Sequence, residues 1–153
     1  MTHALNLTLP IKQDPETLAK LANLEKIFAT KIQKDIEDAL RKSGLVHFAR
    51  ILVIDNLYIQ VITEYEGDHQ EYTEFFRKEL TNVFREIFSL VDSPVDVSDP
   101  AAFWNFSRDR NIRSLGMTTG NSTTMDGKPA GWLFSAYNHK SVKEIQGAIQ
   151  DHP

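Results

Sequence analysis

Cysteine is absent from the 153-residue chain. Its absence removes disulfides, thiol nucleophiles and thiolate metal ligands together, and it fits a reducing compartment. Long apolar runs are also missing: no stretch approaches the roughly 18 residues that would suggest a membrane span. The start, Met1 to Asn6, has no basic region followed by an apolar one, so no signal peptide is expected there. A surplus of positive charge is lacking too, with 17 Lys and Arg against 21 Asp and Glu, so nucleic acid is not an expected partner. The five histidines are scattered without metal-ligand spacing, and no metal site is expected. Neither Gly116–Gly120 nor Asp126-Gly127-Lys128 completes a phosphate-loop pattern, and there is no Gly-x-Ser-x-Gly elbow. A cytoplasmic protein that does not enter the membrane is the expectation.

What remains is ordinary globular composition, 41% hydrophobic and 25% charged, in a length that suits one domain over residues 1–153. Leu5, Leu7 and Leu9 alternate with Asn6 and Thr8, a half-buried strand ended by Pro10. Asp14-Pro15 opens a helix whose apolar positions run from Leu18 to Leu40, with Gly44 placed to end it. Val46–Ile54 and Leu57–Tyr65 are rich in β-branched and aromatic residues, and Asp55-Asn56 between them suits a two-residue hairpin turn. Asp68 with Glu71 starts a second long helix bearing Tyr72, Phe76, Leu80, Val83, Ile87 and Val91. Asp99-Pro100 starts a short helix with Phe103, Trp104 and Phe106. Residues 111–130 form a long polar connection that suits a lid, with a short strand near Arg113–Met117. Gly131–Tyr137 reads as a last strand, and Ser141 to Glu144 as the capping box of a terminal helix.

Without the additions this order is βαββαβ: a ferredoxin-like α+β fold, with an antiparallel sheet of four strands and two long helices on one face. With Asp55-Asn56 as the turn, Ile54 opposes Leu57. Val46, Phe48, Arg50, Leu52 and Ile54 then face the helices with Leu57, Ile59, Val61, Thr63 and Tyr65. The other face carries His47, Ala49, Ile51 and Val53 with Tyr58, Gln60, Ile62 and Glu64; a slip of one residue would exchange the sets on one strand. In this register His47 lies across from Glu64, a pair suited to acid–base work near neutral pH or to plain cross-strand pairing. Arg50 stands among apolar residues and would need a partner, an anionic ligand or a path to solvent.

The stretch Val46-His47-Phe48-Ala49-Arg50, the hairpin, and Glu64-Tyr65-Glu66-Gly67-Asp68 leading into an aromatic helix resemble the dimeric α+β-barrel superfamily. The resemblance implies a homodimer closed through the sheet, with Tyr58, Gln60 and Glu64 on the open or dimer-facing side. It further implies a small apolar or aromatic ligand between sheet and helices, as in antibiotic-biosynthesis monooxygenases that work without a cofactor. On this reading His47, Arg50 and Tyr65 are the catalytic candidates, and Phe48, Phe76 and Trp104 contact the ligand. A haem-dependent, peroxidase-like protein is the alternative, although no histidine stands mid-way along the second helix and His69 lies at its start. A non-catalytic dimeric stress or accessory module is the third reading. The residues themselves do not choose between an enzyme and a binding protein.

Overall fold

The computed structural model describes residues 2–117 and 122–151. Three strands, β1 (Thr2–Pro10), β2 (Val46–Ile54) and β3 (Tyr58–Glu66), form an antiparallel sheet in the order β1-β3-β2. Among the described residues there is no fourth strand, which overturns the expected four-stranded βαββαβ ferredoxin-like plan and the barrel built on it. The reason lies at the free edge of β1. Asn111 bridges Leu7 there, Ile112 N–H donates to Asn6 C=O at 2.9 Å, and Asn6 N–H donates to Asn111 Oδ1 at 2.9 Å. With that edge occupied, Gly131–Tyr137 runs as irregular chain, anchored by Trp132 N–H on Leu115 C=O at 3.0 Å. The short strand expected near Arg113–Met117 is likewise irregular, and residues 118–121, in the middle of the connection read as a lid, lie outside the described residues.

The long first helix is two α-helices, α1 (Pro15–Ile27) and α2 (Gln33–Ser43), joined by a π-helical turn at Phe28–Ile32. Phe28, Ile32, Ile36 and Leu40 recur every four residues, which outruns a 3.6-residue turn, and the wider π turn brings the stripe back toward the sheet. Asp14 caps α1 by accepting from Thr17 N–H and Thr17 Oγ1 at 2.9 and 2.8 Å, and Gly44, at φ 59°, closes α2 in the left-handed conformation.

The second long helix also divides, into α3 (His69–Glu79) and α4 (Thr81–Phe88), at Leu80 (φ −120°, ψ 31°). Thr81 Oγ1 donates to Arg77 C=O at 2.6 Å, a side-chain bond of the kind that bends helices. Asp68 caps α3 by accepting from Gln70 and Glu71 N–H at 2.9 Å, and Asp99 caps α5 (Pro100–Arg110). Before α6 (Val142–Asp151), Ser141 and Glu144 complete a reciprocal box: Glu144 N–H donates to Ser141 Oγ and Ser141 N–H to Glu144 Oε2.

The hairpin turn has both Asp55 and Asn56 at positive φ, 52° and 56°, closed by Leu57 N–H on Ile54 C=O. Its register nevertheless sets Ile54 opposite Tyr58, one residue beyond the expected Leu57. From Tyr58 on the β3 faces are unchanged by this, and Ile59, Val61, Thr63 and Tyr65 are all buried, whereas Leu57, expected beside them, stays in the turn region and is exposed. Those of β2 exchange: Ala49, Ile51 and Val53 turn to the core while Phe48 and Arg50 turn away and are exposed. A bulge at His47 restores Val46 to the core opposite Tyr65.

Candidate functional site

Leu5 and Leu7 of β1, Ile51 of β2 and Val61 of β3 form the floor of a cavity between the sheet and the helices. Phe28, Ile36 and Leu40 wall one side. Phe76, Leu80, Val83 and Ile87 wall another, and Phe103 of α5 closes it. Its volume is about 320 Å³, roughly twice that of the ~150 Å³ apolar void that holds one benzene ring. The π-helical turn and the break at Leu80 both border it, so the two departures from regular helix shape its walls.

Polar groups enter this lining at few points. Gln33, Glu37 and Arg50 are exposed and mark the rim, at α2 and the β2 edge. Deeper, Thr63 Oγ1 and Tyr72 Oη share a hydrogen bond of 2.5 Å, and burial pushes the Tyr72 phenol well above its ordinary pKa. Thr73 Oγ1 donates to His69 C=O at 2.7 Å. Ser107 of α5 is only 2% exposed, and its hydroxyl has no hydrogen-bond partner among the described residues.

Behind Tyr72 lies a second polar cluster, turned away from the cavity. The Tyr65 ring stacks on Tyr72 with centroids 3.7 Å apart, and its hydroxyl meets His69 Nδ1 at 2.6 Å. Burial raises the Tyr65 phenol, so it keeps its proton and donates to His69 Nδ1. His69 Nε2 then carries the other ring proton and donates to Thr123 Oγ1 at 3.0 Å. His3, whose ring lies 4.3 Å from that of His69, accepts from Thr123 N–H at 3.4 Å. Burial, followed by the neighbouring His69, lowers His3 to about 4, and burial also lowers His69. Both histidines are therefore neutral at pH 7.

The candidates read from the sequence scatter over these places. Phe76 lines the cavity, whereas Tyr65 is fully buried in the histidine cluster. Trp104 borders a surface groove between α3 and α5 with Gln70 and Asn105. Phe48, expected on the core side, is 66% exposed on the outer face, and Arg50, also expected there, is exposed and reaches the cavity only at its rim. His47 pairs with Glu66 at 3.1 Å instead of Glu64, because the bulge carries it past the expected register. Glu66 in turn accepts from Val142 N–H at the start of α6. Glu64, Tyr58 and Gln60 lie on the outer face, and burial raises the Glu64 carboxyl while Arg50 and His47 oppose that shift. A hollow of about 260 Å³ brings His47, Phe48 and Glu64 together with Phe134, Tyr137 and Lys140.

The donor set does not fit the haem alternative. Among the described residues no histidine lines the main cavity, and both His69 ring nitrogens are engaged in hydrogen bonds. Sequence reasoning did not single out Ser107, Thr63 or the His3–His69 contact. Only the two-residue periodicity of β3 pointed Thr63 inward. No helix of the described residues is long and apolar enough to cross a membrane. Comparison with family models, with curated proteins and with solved structures yields no match to this chain.

Proposed function

We propose that the domain binds a small apolar or aromatic molecule in the cavity between its sheet and its helices. The volume of that cavity supports this reading most directly. An empty, closed void of about 320 Å³ would cost roughly 8 kcal/mol at ~24 cal/mol per Å³. That is an upper bound because the rim is open, yet it is comparable to the whole net stability of a domain, ~5–15 kcal/mol. Water offsets little of it, since an apolar lining gives a water few of the two to four partners it needs. An apolar ligand fills the same space without that deficit.

A binding role is favoured over catalysis because His47, His69 and Glu64 line other parts of the molecule, Glu37 is exposed at the cavity rim, and burial keeps the Tyr72 phenol protonated. The neutral fluorophore N-phenylnaphthylamine serves as probe. It should show saturable fluorescence enhancement at one site per chain, lost in Val83→Trp with the circular dichroism unchanged. No saturable signal, or an undiminished one in Val83→Trp, would remove the proposal.

Two copies are further inferred to pair over the outer sheet face. Phe48, Tyr58, Phe134 and Tyr137 are 66, 41, 87 and 62% exposed around it. At ~150–250 Å² per aromatic side chain these supply several hundred Å², most of the ~800 Å² per partner of a stable interface. Light scattering should give twice the chain mass at micromolar concentration and the chain mass for Phe48→Glu/Phe134→Glu; a monomeric wild type contradicts the pairing.

A further inference from the structure

The hydroxyl protons of the cavity wall constrain what fills it. Thr63 and Tyr72 carry two hydroxyl protons between them, and their mutual 2.5 Å bond uses one. The second has no acceptor among the described residues. Ser107 contributes another hydroxyl proton with no acceptor, in a residue 2% exposed. Thr73 differs, because its hydroxyl is satisfied by His69 C=O. Among the described residues His139 Nδ1 alone is a sealed side-chain atom without a partner, so Ser107 Oγ is not sealed off. Two spare donors, from β3/α3 and from α5, line one apolar space and can each reward an acceptor brought into it. No Lys, Arg, Asp or Glu in the lining is buried: Glu37 and Arg50, the charged residues there, are exposed at the rim. A charged group carried deep into the cavity would therefore meet no counter-charge.

Resting on the binding proposal, we infer that the ligand is a neutral ring compound bearing a carbonyl-type oxygen, received by Ser107 Oγ–H and by the spare proton of the Thr63–Tyr72 pair. A pure hydrocarbon would leave both donors unpaired, and a carboxylate would bring an uncompensated charge. Water bound at the two hydroxyls is the competing occupant. It would satisfy the donors locally and leave the remaining apolar volume unfilled.

The test compares α-tetralone with tetralin, two bicyclic molecules of nearly the same shape that differ by one carbonyl oxygen. Binding to the full chain is followed by titration calorimetry. Wild type should bind α-tetralone about tenfold more tightly than tetralin, the scale of one good hydrogen bond. Ser107→Ala, Thr63→Val and Tyr72→Phe, together, remove every spare hydroxyl proton and should bring the ketone down to the tetralin affinity, while continued binding of tetralin shows that the variant keeps its cavity. Equal affinity for the two probes in wild type, or a preference that survives the triple substitution, overturns this inference while the binding proposal stands. Binding of neither probe overturns both. Tighter binding of tetralin points to hydroxyls already satisfied by water and likewise overturns it.

Discussion

His3 makes acid sensitivity the sharpest consequence of the fold. Its imidazole is 7% exposed and sits against His69, and the folded domain holds it near 4 against an ordinary value of 6.5. In the unfolded chain His3 gains its proton as pH falls through 6.5, while in the folded chain it stays neutral until about 4. The unfolded state therefore binds more protons throughout that window, and stability declines as pH falls across it, then levels below. At ~1.4 kcal/mol per pH unit, the gap amounts to roughly 3 kcal/mol, and His69 adds to it in the same direction. The carboxylates lowered by their partners, Asp14, Asp96 and Glu144 among them, lose their contributions at more acid pH, and they are common to wild type and variant. Urea unfolding of wild type and His3→Gln at intervals from pH 7 to 4 isolates the histidine. The two stabilities should converge or cross as pH falls, by roughly 3 kcal/mol relative to each other. Parallel curves over this range would refute a neutral, buried His3.

Gly131 stands at φ 84°, and a Cβ there would lie 2.1 Å from Ser114 C=O, so Gly131→Ala should cost at least about 2 kcal/mol by thermal unfolding. A variant as stable as wild type would show that the 114/131 approach is not kept in solution. Glu66 ties His47 to the first turn of α6, so Glu66→Ala should speed hydrogen exchange in α6 while leaving β3 protected, at a cost of about 1–3 kcal/mol. Unchanged exchange in α6 would mean that its start is held by other groups.

Helix starts were legible in the sequence because the side chains that fix them are local: Asp14, Asp68, Asp99 and Ser141 each cap the backbone two or three residues on. The β3 alternation was legible for the same reason, since a period of two needs no partner. The register between β2 and β3 was not. It depends on Leu57 lying in the turn region and on the bulge at His47, and either shift by one residue exchanges a face, which is how Phe48 and Arg50 came to be placed in the core. Gly131–Tyr137 has the composition of a strand, but the edge expected to receive it, that of β1, is filled by Asn111 and Ile112, some twenty residues earlier. Tertiary competition of that kind leaves no local trace.

The cavity divides in the same way. Its apolar walls are the helical stripes, with Phe76, Leu80, Val83 and Ile87 spaced as expected, and the four-residue spacing from Phe28 to Leu40 carries the signal for the π turn. Ser107 and Thr63 are different. Each is an ordinary hydroxyl residue in its own element, and only packing places both in one apolar space.

The claim that this space receives a small apolar molecule is tested most directly by methyl NMR with tetralin. Intermolecular NOEs should appear from the ligand to methyls of Leu7, Val61, Val83 and Ile87 and saturate at one ligand per chain. NOEs confined to exposed Leu115 and Met117, or none at all, would contradict it.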